Sequence, residues 1–178
     1  DGLLEEDAGK AHDLVNRIFQ LNDERGQIQA KVFEEAFLQA QNQVKESNPP
    51  VVVVNGDWHE GVLGIVASKL VERLGRPAVV LTKTGEELLR GSMRSKTYFS
   101  CVKALSSCTH LLNRYGGHKM AAGLQLTPKK LEDFTNELWS SANDFLGQIS
   151  DAANLDTLFF DGALPPFLSI EDVERLQL

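Results

Sequence analysis

The apolar positions at the start of the chain recur with helical spacing. From Glu5 to Glu46 there is no proline and no clustered turn signal. Leu14, Ile18, Leu21, Ile28 and Val32 follow a 4-3-7-4 spacing, with Arg25 in the gap, so they share one face of a helix. Phe33, Ala36, Phe37 and Ala40 widen that face in its second half. Read as one element, some 40 residues give a helix about 60 Å long, the alternative being a break near Asn22-Asp23 or at Gly26. A lone helix cannot bury its own stripe, so the expectation is that it lies on another domain. Ser47-Asn48-Pro49-Pro50 ends it and acts as a linker.

The pattern then shortens. Val51–Val54 is a continuous apolar run, the mark of a strand buried on both faces. After the turn Asn55-Gly56-Asp57, Val62, Ile65, Val66, Leu70 and Leu74 return to helical spacing, with Gly75 as the C-terminal cap and Pro77 leading out. Strands are predicted over Ala78–Thr82 and Leu88–Arg94, joined by Thr84-Gly85-Glu86. A helix is predicted over Ser100–Tyr115, with Val102, Leu105, Leu111 and Leu112 on one side and Gly116-Gly117 as its stop. Ala121–Leu126 reads as a short strand. Pro128–Phe145 reads as a helix with Pro128 close to its first turn and Leu131, Phe134, Leu138 and Phe145 inward. The order β-α-β-β-α-β-α makes one α/β module, a mixed sheet flanked by helices.

Beyond Gly147 the pattern changes. Leu155–Asp161 alternates weakly as a strand, and Ser169 with Asp172 resembles a capping box at the start of a helix. The organisation expected is a connector helix over 1–48, an α/β domain over 49–147, and the start of a further β-rich unit over 148–178. Both ends read as cuts in a longer protein.

Composition narrows the partners. The chain has 178 residues, 42% of them apolar, and a net charge of −7. That acidity argues against a surface that binds nucleic acid along its whole length, while leaving room for a small basic pocket. Cys101 and Cys108 sit seven residues apart inside the predicted helix. Two helical turns put them about 10 Å apart, too far for a disulfide. Free thiols fit a reducing cytosol, so a cytoplasmic location is expected. No apolar run approaches 18 residues, so no membrane helix is predicted.

Three polar clusters stand at element ends. Trp58-His59-Glu60-Gly61 lies at a strand-to-helix turn, where free N–H groups can hold an anion and His59 can add a donor. The plain alternative is a cap without a ligand. Gly91-Ser92-Met93-Arg94-Ser95 combines a glycine for close approach, two hydroxyls and a guanidinium fork suited to phosphate. Its alternative is a surface arginine paired with a carboxylate. Arg114-Tyr115-Gly116-Gly117-His118 joins a double glycine to a histidine that can donate, stack or ligate. Its alternative is a glycine-capped helix end. In open α/β sheets such ends converge at one edge, where ligands bind. His12 on the first helix is expected to face solvent, and His110 to be structural. The sequence has no C-x-x-C pair, no H-E-x-x-H and no Walker loop, and no aspartate cluster that could hold two metal ions.

The segments His59–Ser68, Gly91–Ser95 and Tyr115–Gly123, in that order and at those gaps, resemble the DHH-associated domain of RecJ-type single-stranded-DNA-specific exonucleases. The Gly-Gly-His element is shared by the wider DHH phosphoesterase family. The resemblance covers about residues 5–145; it likens the first helix to the RecJ connector and the segment after 150 to the start of an oligonucleotide-binding fold. It implies the substrate-binding part of a metal-dependent 5′→3′ exonuclease of DNA repair and recombination, a hydrolase. Ser92, Arg94, Ser95, Gly116, Gly117 and His118 would hold the phosphates or terminal nucleotide of single-stranded DNA, with His59 a weaker candidate. His118 would act as an auxiliary group that positions substrate. The Asp-His-His motif and the other residues that bind Mn2+ or Mg2+ in that family are missing, so the resemblance implies no metal in this piece. It implies instead a partner N-terminal DHH domain, no membrane, and no hydrolysis by this piece alone. The alternatives are part of another DHH phosphoesterase acting on short RNA or cyclic nucleotides, and a non-catalytic nucleic-acid-binding module.

Overall fold

In the computed structural model the described residues are 8–85 and 87–148. The strand expected at 155–161, the helix expected after Ser169 and the unit they would begin fall outside the described residues.

The first helix, α1 (Ala8–Ser47), runs 40 residues without a break. It is followed by β1 (Val52–Gly56), a 3-10 turn (Glu60–Val62), α2 (Leu63–Leu74), β2 (Ala78–Thr84), β3 (Leu88–Arg94) and α3 (Cys101–Ser107). A second 3-10 turn (Thr109–Leu111) leads to β4 (Leu112–Gly117) and β5 (Ala121–Leu126), and a third (Pro128–Lys130) to α4 (Leu131–Gln148). The five strands form one mixed sheet in the order β1-β2-β3-β5-β4, with β1 and β2 parallel and all other pairs antiparallel.

Alternation along the strands builds two cores. Val51, Val53, Val79, Leu81, Leu89, Met93, Leu124 and Leu126 face one side, where Leu105, Phe134 and Leu138 of α3 and α4 cover them. Val52, Val54, Ala78 and Val80 face the other, under Val66 and Leu70 of α2 and Val32, Ala36 and Ala40 of α1. The four-valine run is therefore buried on both faces, as a strand between two layers must be.

One sequence expectation is corrected. The helix over Ser100–Tyr115 stops at Ser107, and its second half is β4. Ser106 Oγ donates to Lys103 O at 2.7 Å, Ser107 Oγ to Ala104 O at 2.9 Å and Thr109 Oγ1 to Ser106 O at 2.6 Å. Hydroxyls that bond back to the last carbonyls offer the backbone a way out of the helix. The chain then pairs with β5, with a register shift between Leu112 and Arg114. Gly116-Gly117 thus closes a strand and opens a hairpin instead of stopping a helix. The back half of the α1 stripe packs on β1 and α2 of the α/β module, while Leu14, Ile18, Phe19, Leu21 and Ile28 remain exposed.

The edge of β1 is closed by side chains. Gln43 Oε1 accepts from Val53 N at 2.9 Å while its Nε2 donates to Val53 O at 3.1 Å. Gln39 repeats this at Asn55, at 3.3 and 3.0 Å. Four residues along a helix rise about 6 Å and two along a strand about 6.6 Å, so the two glutamines match the strand's repeat. They stand in for a neighbouring strand on an edge that would otherwise invite pairing. Among the described residues no helix is long and apolar enough to cross a membrane.

Candidate functional site

On its side of the sheet the layer of α1 and α2 buries the apolar residues of β1 and β2, and α2 also reaches β3. On the same face β3, β5 and β4 present mostly polar or small residues. They align in register rows. Arg90 lies beside Gln125, and Gln125 beside Arg114. The next row is Ser92, Gly123 and Gly116. Arg94 then lies beside Ala121, whose carbonyl accepts from His118 N at 2.8 Å to close the β4–β5 hairpin. A floor of Ser92, Gly123 and Gly116 almost free of side chains therefore runs between rows that carry guanidinium groups.

A hollow of about 550 Å³ opens where α2 meets β3, walled by Glu60, Gly61, Gly64, Ser68, Ser92 and Arg94 among others. Arg94 Nη1 donates to Ser92 Oγ at 2.8 Å and to Met93 O at 2.9 Å. These bonds fix the guanidinium beside the hydroxyl and pre-set a two-donor cradle of the kind phosphate oxygens use. Gly64 makes room for it. A Cβ at Gly64 would stand 2.6 Å from Arg94 Nη2 and 3.3 Å from Ser92 Oγ. A glycine inside a helix is thus explained by the close approach of an arginine.

A second hollow, about 430 Å³, lies across β5 and β4 and is walled by Arg114, Tyr115, Gly116, Gly123, Leu124 and Gln125. Arg90 and Gly91 belong to both walls, so Arg90 stands on the ridge between them. The Arg90 guanidinium is held on two sides. Its Nη1 meets Glu60 Oε2 at 2.5 Å. With the Gln125 carboxamide oxygen turned toward it, the orientation that satisfies both groups, Nε and Nη2 each donate to that oxygen at 3.0 Å. Glu60 Oε1 also accepts from Thr84 Oγ1 at 2.7 Å. The Thr84 hydroxyl, then Arg90, holds the Glu60 carboxyl below its usual range.

The structure brings some of the sequence-derived site residues together and separates others. Ser92 and Arg94 share the first hollow and Gly116 lines the second. Gly117 and His118 form the exposed hairpin tip, at the same end of the sheet as Arg94. Gly117 is there for its backbone, since its φ is +150° and a Cβ would lie 2.4 Å from Ala121 O. Ser95 is engaged in the loop that docks this tip: its Oγ donates to Phe99 O at 2.9 Å, and its N–H to Met120 O at 3.1 Å. His59 caps the 3-10 turn, Nδ1 accepting from Gly61 N at 3.1 Å, and neither hollow includes it in its wall. The missing Cβ of Gly91 points to the core, where it would stand 2.4 Å from Leu81 Cδ2, so this glycine serves packing and not ligand approach. The polar clusters meet on the open face of the antiparallel strands, not at the edge expected of a parallel sheet.

Arg90 and Gln125 were not singled out from sequence, and Glu60, Gly64 and Arg114 stood inside the polar clusters and motifs without a role of their own. The signal for Arg90 was present: Arg90, Ser92 and Arg94 are two apart on a strand and must share a face. The mistaken helix removed β4 from the sheet and with it the place of Arg114 beside Gln125 of β5. His110, expected to be structural, bonds Glu137 Oε2 through Nε2 at 3.2 Å. Among the described residues no group of three His, Cys, Asp or Glu side chains comes together that could hold a metal ion. Glu60, the carboxylate of the first hollow, is already paired with Arg90. These residues do not fit a divalent metal site.

Comparison with known proteins identifies the family of the fold. The DHHA1 domain profile matches residues 48–144. The single-stranded-DNA-specific exonuclease RecJ of Bacillus subtilis (strain 168) is 39% identical over 145 residues, covering 81% of this chain and 18% of that protein. RecJ of Thermus thermophilus is 35% identical over 163 residues, covering 92% of this chain and 23% of that protein. The chain thus spans about a fifth of the length of these relatives. The crystal structure of an exonuclease RecJ bound to manganese superposes with a TM-score of 0.73 at 31% identity, over 88% of this chain and 38% of that one. The crystal structure of Thermus thermophilus RecJ in complex with Mg2+ gives a TM-score of 0.71 at 31% identity, over 80% of this chain and 22% of that one. The profile match covers more than half of the chain, and the chain belongs to the DHHA1 domain family, in the form found in RecJ exonucleases.

Proposed function

We propose that this domain is the substrate-binding part of a single-stranded DNA exonuclease, and that the open face of β3, β5 and β4 receives the DNA backbone. The observation that carries the reading is the pre-set Arg94–Ser92 pair over Gly64. Arg94 and Ser92 bind a phosphate of the terminal nucleotide. The Ser92–Gly123–Gly116 floor lets the strand approach the sheet without meeting side chains. The walls of the two hollows hold three arginines against one carboxylate, a positive strip on a chain of net charge −7. That arrangement favours a short, local contact over wide electrostatic capture.

His118, at the hairpin tip near Arg94, positions the strand end. The metal ions that activate water come from a DHH domain carried elsewhere in a longer cytoplasmic protein of DNA repair and recombination, working 5′→3′. Within this chain the residues bind and orient; they do not cleave. The test is binding of 5′-phosphorylated oligothymidylate to the 178-residue chain, in competition with short RNA and a cyclic dinucleotide, together with a nuclease assay in Mn2+. DNA binding that short RNA and the dinucleotide displace poorly, without hydrolysis, is expected. Preference for the cyclic dinucleotide, or clear hydrolysis, contradicts the reading.

A further inference from the structure

The ridge between the two hollows has a chemistry that a phosphate contact does not need. Arg90 is half-exposed, with 49% of its side chain accessible, yet its in-plane donors are engaged on both sides, Nη1 on Glu60 and the Nε–Nη2 edge on Gln125. Three of its five N–H groups are taken in this way and its charge is balanced by Glu60, which leaves it less to offer a phosphate. The two supports also hold out the flat face of the cation. A planar guanidinium stacks on an aromatic ring by dispersion and cation–π attraction, and it is more weakly hydrated than an ammonium group.

Position supports the same use. Arg90 and Ser92 are two apart on β3 and so project from the same face, about 6.6 Å apart along the strand. That is close to the spacing of one nucleotide from its neighbour along an extended strand. Gln125 and Glu60 come from different elements, β5 and the turn before α2, so the plane of Arg90 is fixed by two independent supports.

We infer that Arg90, clamped by Glu60 and Gln125, is a stacking platform for a nucleobase of single-stranded DNA next to the nucleotide whose phosphate Arg94 holds. This rests on the proposed DNA-binding reading and assigns a further binding group to the same face. Stacking on Arg90 tolerates any base, because every base has a π face.

The test measures affinity of the full 178-residue chain for 5′-phosphorylated oligothymidylate at several salt concentrations, with thermal melts to confirm folding. A parallel series carries a single abasic site walked through the first four positions. Arg90→Ala and Arg90→Lys are both expected to weaken binding by roughly tenfold, with the slope of log affinity against log salt unchanged. Lysine keeps the charge and loses the plane, so it does not rescue. One abasic position is expected to weaken the wild type by a similar factor and to erase the difference between wild type and variants. Gln125→Ala, which frees one edge, is expected to give a smaller loss. Rescue by lysine, a shallower salt slope in Arg90→Ala, or a defect that persists on every abasic probe overturns the stacking role and leaves the DNA-binding reading intact. Absence of any DNA binding by the wild type overturns both.

Discussion

Gly64 shows how one missing methyl group can belong to a site. Alanine there would improve helix propensity by up to about 1 kcal/mol, yet its Cβ would stand 2.6 Å from Arg94 Nη2. The far end of an arginine can move, so the protein tolerates the change while the phosphate cradle does not. Gly64→Ala is expected to leave the melting temperature unchanged or raised and to cut DNA affinity about as far as Arg94→Ala does; an unchanged affinity would separate Arg94 from binding. Gly91→Ala sends its methyl the other way, toward Leu81 Cδ2 and Val80 O. Overpacking of that kind costs about 1–3 kcal/mol, so a lowered denaturation midpoint is expected. Glu60 carries a pH signature. Its folded-state pKa is lowered from 4.5, so its contribution is present above that value and is lost as the pH falls through the lower folded-state pKa. Below pH 4.5 the stability of the wild type should fall more steeply than that of Glu60→Gln, as acid titration followed by circular dichroism would show. The group is more than a third exposed, so the difference is small.

Among the elements, α1 does two jobs that its periodicity only half revealed. The stripe through Val32, Ala36 and Ala40 was legible and does pack on the domain. The bonds of Gln39 and Gln43 to β1 were not, because glutamines on a polar helix face read as solvated until the strand beside them is known. Gln43→Ala removes both bonds to Val53. It should cost about 1–2 kcal/mol and speed hydrogen exchange at the Val53 amide; unchanged exchange would show that the edge does not need its side-chain partner. The strands β1, β2, β3 and β5 and the helices α2 and α4 followed from alternation, helical spacing and the Gly75 and Pro128 signals. β4 did not. Leu111, Leu112 and Tyr115 keep a helical spacing over a stretch that pairs as an edge strand, where tertiary pairing overrides local pattern. The same error hid the place of Arg114 and the second hollow, since both need β4. Ser92, Arg94 and Gly116 could be named as candidates from sequence because the chemistry of their clusters does not depend on which element carries them.

At the scale of the molecule, a chain of net charge −7 sets three arginines against one carboxylate in the walls of the two hollows. The two cysteines lie on the opposite, fully packed side. Burial pushes the Cys108 thiol up to about 12 and raises that of Cys101. Both should therefore resist alkylation at neutral pH until the sheet opens, so the labelling rate should follow global unfolding in a denaturant series. Fast labelling of native protein would mean that the α3–α4 layer opens locally. The central claim is that the open face of β3, β5 and β4 contacts DNA phosphate through Arg94. The most direct measurement is the salt dependence of oligothymidylate affinity in wild type and Arg94→Ala. Each phosphate contact on a single strand adds about 0.7 to the slope of log affinity against log salt. The expected result is weaker binding by Arg94→Ala with a slope shallower by about that amount; equal slopes and equal affinities would contradict the claim.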